Sequence, residues 1–505
     1  MPLFLGLDIG TTSTIGILID DGEQILAKAA RPVTLHTPHP GWAEEDPRQW
    51  WANVCAIVPE LIRRAGCRAA DIAAVGVAGM VPAVVLLDCE GDLLRDSIQQ
   101  SDGRAADEVA ALAREIDPQA FLGRTGNGVN QQLVATKLLW LERHEPDVFA
   151  RIATVLGSYD FITWRLTGTA SLDHNWALEA GFLDLATGAI APDLVALGHL
   201  GADVLPPLRR SHEIAGALTD EAAEATGLAP GTPVITGCAD HVASAYAAGV
   251  IAPGDILLKF GGAGDILAAS PSIRPDARLF TDFHLVPGLY MPNGCMASTG
   301  SLLDWFAAEF GTRYSGEAAA AGRTLHQHLD ALASRLEAGA GGVIALPYFL
   351  GEKTPIHDPR ARGTLTGLSL NHGPAHLWRA LLEATVFGFR HHVEVMREIG
   401  YPVCRVLASD GGTRSTLWMQ IAADALGTPI RLLGDHPGSC LGAAWLAAIG
   451  CGAVADWSGV TRFVGAGRTV EPNPAAAAAY DAGYALYRDL YTALRPLFPR
   501  MNPPD

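Results

Sequence analysis

A strand, a glycine turn and a second strand follow one another at two places in the chain, and this repeat most constrains the fold. Residues 4–19 place Asp8 at the end of an apolar strand, followed at once by Gly-Thr-Thr and a second apolar strand. Residues 255–269 repeat the pattern around Gly261 and Gly262. Two such hairpins about 250 positions apart predict two similar half-domains that face each other.

The first turn has the residue types of a phosphate-binding loop. Gly10 lets a ligand approach the backbone, and Thr11, Thr12 and Ser13 offer amide and hydroxyl donors to anionic oxygens. Asp8 would repel a phosphate group, so a magnesium ion is expected between the two. An ordinary hairpin with a polar tip is the alternative at this point, because short glycine motifs often arise by chance.

Length and patterning predict an α/β protein of two domains. A chain of 505 residues is too long for one hydrophobic core. Apolar strands alternate with amphipathic stretches, which is typical of sheets covered by helices. Gly249, Pro253 and Gly254 indicate a boundary, so we predict an N-terminal domain at residues 1–248 and a C-terminal domain at residues 249–505.

Composition excludes several classes of function. No signal-like segment or membrane-length apolar run is present, so a cytoplasmic protein is expected, without a membrane partner. The eight cysteines form no CxxC pair and no cysteine–histidine spacing, which argues against disulfides and structural zinc. A net charge of −18 disfavours nucleic acid as a partner. An anionic ligand must therefore be bound by local features.

Asp240 is the first candidate for a catalytic residue. It follows the predicted strand at residues 233–236 and precedes a run of small residues that can form a helix. The positive end of a helix favours an ionised carboxylate, which could accept a proton from a substrate hydroxyl. A plain helix N-cap is the alternative for an aspartate in this position.

Two further segments combine a turn with a helix. Residues 406–427 predict a strand, a turn at Gly411 and Gly412, and an amphipathic helix whose first amides could contact a nucleotide. Many α/β loops contain paired glycines, so this motif alone is weak. Residues 363–372 predict another turn, followed by a helix over residues 376–383 whose role could be purely structural.

Taken together, these stretches resemble the FGGY carbohydrate kinases, over essentially the full length of the chain. The most specific match is residues 363–383, which fit the family's C-terminal signature. The other matching segments are Asp8-Ile-Gly-Thr-Thr, residues 410–415 with Trp418 and Gln420, and residues 442–444. Within the family the likeness is greatest to the xylulokinases, through residues 38–51, 143–149 and 346–355.

The resemblance implies an actin-like fold, in which two ribonuclease-H-like domains enclose ATP and a sugar in a catalytic cleft. It implies that Asp240 is the general base and that Asp8 positions Mg²⁺ through water. It also implies phosphate and nucleotide contacts for the residues of three turns, namely Gly10, Thr11, Thr12, Ser13, Gly261, Gly262, Gly411, Gly412 and Thr413. Such an enzyme works mainly by alignment and charge neutralisation.

The chain departs from the xylulokinases at positions of the sugar pocket. The xylulokinases usually have Met-His where this chain has Val81-Pro82, and Trp-Asn where it has Gln100-Ser101. They usually have asparagine after the catalytic aspartate, where this chain has His241. Polar mismatches of this kind discriminate strongly between substrates. D-xylulose, converted to D-xylulose 5-phosphate, is therefore the leading prediction, and another ketose, a polyol or a sugar acid is the alternative.

Two departures concern the nucleotide site. Gly262 stands in place of a threonine and removes a hydroxyl donor, and Asp410 stands in place of a glycine. Either change could lower the affinity for ATP. A non-catalytic sensor of sugar or nucleotide on the same scaffold, and an actin-like ATPase with a protein partner, are the alternatives to a kinase. A homodimer is expected only from the frequency of dimers among such enzymes.

Overall fold

The computed structural model describes residues 2–434, 437–465 and 467–501, and its architecture is built on two seven-stranded mixed sheets. The strands of the described residues are, in chain order, β1 (Leu3–Ile9), β2 (Ser13–Asp20), β3 (Ile25–Pro32), β4 (Glu44–Glu45), β5 (Ile72–Gly79), β6 (Val85–Leu87), β7 (Ser97–Ile98), β8 (Thr154–Leu156), β9 (Leu172–Asp173), β10 (Leu183–Asp184), β11 (Ala189–Ile190), β12 (Leu208–Arg209), β13 (Ile214–Ala217), β14 (Pro233–Ile235), β15 (Cys238–Ala239), β16 (Asp255–Phe260), β17 (Gly264–Ala268), β18 (Phe280–Phe283), β19 (Tyr290–Met296), β20 (Ile344–Leu346), β21 (Thr364–Thr366), β22 (Arg405–Ser409), β23 (Ile430–Leu432) and β24 (Thr469–Val470).

Helices cover the sheets and connect their strands. The α-helices of the same residues are α1 (Pro47–Ala65), α2 (Ala106–Glu115), α3 (Pro118–Thr125), α4 (Val134–His144), α5 (Pro146–Phe149), α6 (Ser158–Thr167), α7 (His174–Glu179), α8 (Pro192–Val195), α9 (Asp220–Thr226), α10 (Asp240–Ala247), α11 (Gly300–Phe306), α12 (Ser315–Ala320), α13 (Leu325–Ala333), α14 (Pro374–Ile399), α15 (Thr416–Leu426), α16 (Ser439–Gly450), α17 (Ala477–Leu494) and α18 (Phe498–Met501).

The two sheets have the same internal order around their hairpins. In the first sheet, β1 is antiparallel to β2 and parallel to β5, in the order β13-β14-β5-β1-β2-β3, with β15 beside β5. In the second, β16 is antiparallel to β17 and parallel to β22, in the order β18-β19-β17-β16-β22-β23-β24. The α/β architecture with two similar halves is therefore confirmed, and the division at residues 248 and 249 stays a prediction.

The first sheet is covered on both faces, which explains its nearly continuous apolar strands. Leu7 of β1 pairs with Gly16 of β2, and a Cβ at Gly16 would contact Ile57 of α1. A Cβ at Gly6 would instead meet α16. Because neighbouring residues of a strand point to opposite faces, α1 and α16 cover opposite sides of the sheet.

Helix α16 lies directly on the first sheet although it comes from the second half of the chain. A Cβ at Gly6 would overlap the carbonyl oxygen of Cys440, and one at Gly76 would overlap that of Ala443. The helix is buried along most of its length. The absence of side chains at the two glycines therefore sets how closely α16 approaches β1 and β5, and β1 carries Asp8 at its far end.

Gly6→Ala is expected to lower the free energy of unfolding by about 1–3 kcal/mol, since the added methyl group must displace α16. Urea unfolding monitored by tryptophan fluorescence measures this loss. The matched control is Gly123→Ala in α3, where a Cβ would meet nothing within 4 Å and the site is exposed. The control is expected to be neutral or slightly stabilising. Equal stability of the two variants would contradict the packing argument.

Candidate active site

A cavity of about 380 Å³ lies between the two halves. It is bounded on one side by the end of β1 and the start of α10, and on the other by β16, β17, β18 and β19. The residues of the sequence prediction that line it are Asp8, Thr11, Val81, Gln100, Asp240 and His241. The structure thus brings together both predicted catalytic carboxylates and three of the four positions at which the sugar pocket departs from the xylulokinases.

A second cavity, of about 540 Å³, lies in the C-terminal half. It is lined by the glycine pairs Gly261-Gly262 and Gly411-Gly412, with Trp418 and Leu303 among its apolar residues. The hairpin between β16 and β17 therefore takes part in both cavities, because Lys259, close to its turn, lines the first and the glycines of the turn line the second. An elongated ligand such as ATP could extend along this hairpin from one cavity to the other.

Five residues of the predicted site line neither of these two cavities within the described chain, namely Gly10, Thr12, Ser13, Pro82 and Thr413. The Gly10 amide donates to the Ser13 carbonyl oxygen across the first turn, at 3.2 Å. The Thr413 hydroxyl donates to the Asp410 carbonyl oxygen at 2.7 Å. These contacts stabilise the two turns, and their roles in ligand binding stay predictions.

Parallel pairing around β5 brings Asp8 and Asp240 together. Asp8 pairs with Ala78 of β5, and Ala239 pairs with Gly79 at the end of the same strand. Asp240 follows as the first residue of α10. Both carboxylates therefore project from the carboxyl edge of one sheet, where α/β proteins commonly bind ligands.

Asp8 has an unusual electrostatic environment. Burial raises the pKa of its carboxyl group to about 7, repulsion by Asp240 adds to the rise, and Ser439 and Lys259 partly oppose it. Its Oδ1 atom is buried and has no hydrogen-bond partner in the part of the chain that the structure describes. A carboxylate oxygen with no donor, beside a second carboxylate, fits a hard divalent cation such as Mg²⁺.

Asp410 occupies a position where glycine would be less strained. Its φ is 73° and its ψ is −176°, a conformation that non-glycine residues rarely adopt. Its side chain lines the first cavity, and a Cβ at Gly261 would lie 3.4 Å from its Oδ2. An aspartate in place of glycine at this position thus adds a carboxylate between the two cavities.

His241 lies within a group of three carboxylates. Its Nε2 donates to Asp282 Oδ2 at 2.9 Å, its Nδ1 is 3.5 Å from Asp240 Oδ1, and its Nε2 is 3.8 Å from Glu179 Oε1. Burial by itself lowers the pKa of His241, but Asp282, Asp240 and Glu179 outweigh it and raise the pKa well above the usual value. These carboxyl groups therefore favour the imidazolium form of His241 next to the predicted base.

Sequence reasoning missed several residues of the cavity. Glu179, Asp282 and Asn293 line it, and the Asn293 amide donates to Asp282 Oδ2 at 2.7 Å. No local pattern linked these residues to one another, because they come from α7, β18 and β19 and meet only in the folded chain. Lys259 and Asp265 were also missed, although charged residues inside apolar strands gave a usable signal.

Comparison with known proteins identifies the family to which these features belong. Residues 3–247 match the N-terminal domain of the FGGY family of carbohydrate kinases, and residues 269–451 match its C-terminal domain. The chain belongs to the FGGY carbohydrate kinases. It is 31% identical to the xylulose kinase of Escherichia coli strain K12, over 98% of this chain and 100% of that protein.

Solved structures show the same fold. The xylulose kinase from Rhodospirillum rubrum is 55% identical, with a TM-score of 0.92, over 98% of this chain and 99% of that one. The gluconate kinase from Lactobacillus acidophilus is 25% identical, with a TM-score of 0.91, over 99% and 100%. The two-domain actin-like fold and the ATP-dependent sugar kinase activity are thus confirmed. In the described residues, no helix is long and apolar enough to cross a membrane.

Proposed function

We propose that this kinase phosphorylates D-xylulose to D-xylulose 5-phosphate. The observation that carries the proposal is the 55% identity to the Rhodospirillum rubrum xylulose kinase over nearly the whole of both chains. The geometry supports it, because a cavity of about 380 Å³ has room for a five-carbon sugar beside Asp240 and adjoins a cavity lined by the nucleotide turns.

The reaction requires one bond to form and one to break. The sugar hydroxyl attacks the γ-phosphorus of ATP, the bond from that phosphorus to the bridging oxygen breaks, and ADP leaves. Asp240 receives the hydroxyl proton, since it lies at the start of α10 with its side chain about one third exposed to the cavity. Closure of the two halves over the substrates would exclude water, which competes as an acceptor.

We propose that Asp8 takes part in holding Mg²⁺, through water, next to the phosphates. Its unpartnered Oδ1 and its position beside Asp240 support this assignment. When bound, the ion supplies positive charge that offsets the phosphate oxygens. The glycine turns at residues 10–13, 261–262 and 411–413 are proposed to contact the phosphates and the nucleoside through their backbone amides.

The charge of the cavity bears on the acceptor. Among the residues that the structure describes, six with carboxyl side chains line it, namely Asp8, Glu179, Asp240, Asp265, Asp282 and Asp410. Lys259, Lys353 and His241 are the positive groups among its lining residues. Burial raises the pKa of Glu179 well above its usual value and that of Asp8 to about 7, which reduces their share of the negative charge, but the other four carboxyl groups still outnumber the three positive groups. A substrate with a carboxylate of its own would be repelled by this surplus. The cavity therefore favours a neutral sugar over a sugar acid, although one structural relative is a gluconate kinase.

An ADP-release assay over a panel of ketopentoses, aldoses, polyols and sugar acids tests the proposal. D-xylulose is expected to give the highest kcat/KM, and gluconate is expected to stay at background because of the carboxylate surplus. Glycerol and xylitol serve as neutral controls that separate charge from size. A kcat/KM for any sugar acid that exceeds the kcat/KM for D-xylulose would contradict both the proposed substrate and the electrostatic argument.

Three broader features complete the proposal. We propose a cytoplasmic enzyme, a division between domains near residue 249, and a homodimer. Cell fractionation tests the cytoplasmic location, and limited proteolysis between Ala247 and Asp255 tests the division between the domains. Sedimentation velocity measures the third, and a purely monomeric species at micromolar concentration would contradict it.

A further inference from the structure

Lys259 is a charged residue in the apolar stretch of β16 that follows Asp255. Ile256, Leu258 and Phe260 of β16 point into the core of the C-terminal half. Leu257 lies on the opposite face and packs into the core that includes the first sheet. Because side chains alternate along a strand, Lys259 shares the face of Leu257 and reaches the cavity between the halves.

The cross-strand partner of Lys259 fixes the direction of its side chain. Asp265 stands directly opposite in the β16–β17 pair, and the Lys259 Nζ lies 3.3 Å from Asp265 Oδ2. Burial by itself lowers the pKa of Lys259, but Asp265, Asp410 and Asp240 outweigh it and raise the pKa. The raised pKa keeps the ammonium charged. The side chain is 22% exposed, so the ammonium is accessible to a ligand in the cavity.

The ammonium lies on the path that a transferred phosphoryl group must take. Its strand leads directly into the turn at Gly261 and Gly262, which lines the nucleotide cavity. Its charge is also felt at Asp8, whose pKa it lowers. A phosphoryl group that moves from the glycine turn to a hydroxyl beside Asp240 therefore passes close to the Lys259 Nζ.

We propose that Lys259 is a catalytic residue that contacts the γ-phosphoryl group of ATP. The proposal rests on the proposed function and deepens it. The ammonium donates hydrogen bonds to the γ-phosphoryl oxygens and keeps its own protons throughout, while the hydroxyl proton goes to Asp240. It supplies a donor on the hairpin where Gly262 has no hydroxyl. Asp265 is the positioning residue that holds the ammonium toward the cavity.

The first test removes the charge and keeps most of the length of the side chain. With Lys259→Met, kcat is expected to fall by about 10²- to 10³-fold, the usual effect of losing one charge-stabilising donor. The KM for the sugar is expected to stay within about threefold, because the ammonium acts on the phosphoryl group. Lys259→Arg is expected to recover part of the loss. A kcat within threefold of wild type in Lys259→Met would overturn the proposal.

The second test uses no sugar and so does not depend on the acceptor. Calorimetric titration with Mg-ATP and Mg-ADP is expected to show that Lys259→Met weakens ATP binding about tenfold and leaves ADP binding unchanged. Lys28→Met, which removes an exposed lysine on β3, is expected to change neither. An equal loss for both nucleotides would assign Lys259 a structural role. If wild type phosphorylates no sugar, the proposed function fails, and this comparison still decides the role of Lys259.

Discussion

Asp240→Asn is expected to lower kcat by about 10²- to 10⁴-fold with the fold intact, which is the usual range for a general base. Asparagine keeps the shape of the side chain but accepts a proton far more weakly than a carboxylate. The Asp240 Oδ1 accepts from the His241 amide, a contact that an asparagine oxygen can reproduce, and the His241 ring keeps Asp282 as its hydrogen-bond partner. Steady-state ADP release gives kcat and KM, and thermal melting tests the fold.

The matched control for this variant is Asp220→Asn. Asp220 is the first residue of α9, as Asp240 is the first residue of α10, but it is exposed and lies outside both cavities. If helix capping explained the effect at Asp240, the two variants would lose stability alike and keep their turnover. A kcat within threefold of wild type in Asp240→Asn would remove Asp240 from the role of base.

The hairpin repeat allowed the fold to be predicted because each hairpin is local in sequence. The turn between β1 and β2, and the turn between β16 and β17, are specified by apolar strands that flank glycine within about fifteen residues. Asp8 and Asp240 were found for the same reason, since each stands at the end of a readable strand. Their proximity is set by pairing with β5, which needs the parallel register and is not encoded in either segment.

The grouping of acidic residues around the first cavity could not be predicted from local sequence patterns. Glu179 ends the short helix α7, and Asp282 lies on β18, about one hundred residues later. Each stands among apolar neighbours in the sequence, but only tertiary folding brings the two together around His241. With Asp240, these carboxyl groups raise the pKa of His241 well above its usual value and favour the imidazolium form, which the sequence alone does not indicate.

Asp8→Asn is expected to abolish most turnover. At pH values above about 7 it is also expected to have a higher free energy of unfolding than wild type, which is unusual for an active-site variant. The folded-state pKa of Asp8 is raised from 3.8 to about 7, mainly by burial and next by Asp240. The raised pKa does not change the free energy of unfolding at pH values below 3.8, but it lowers that free energy progressively as the pH rises from 3.8 toward about 7. At pH 8 asparagine avoids a penalty of at most about 4 kcal/mol, at roughly 1.4 kcal/mol per pKa unit.

Urea unfolding in the absence of magnesium, at pH 5 and pH 8, measures this effect. The gain in the free energy of unfolding for Asp8→Asn should be larger at pH 8 than at pH 5. Asp255→Asn, which weakens an ion pair with Arg405, should instead be destabilising. Added Mg²⁺ should stabilise wild type and not Asp8→Asn, because an ion that binds only the folded state shifts the unfolding equilibrium by mass action. A magnesium effect of equal size in both proteins would show that Asp8 does not help to hold the ion, and a variant less stable than wild type at pH 8 would show that this carboxylate stabilises the folded chain.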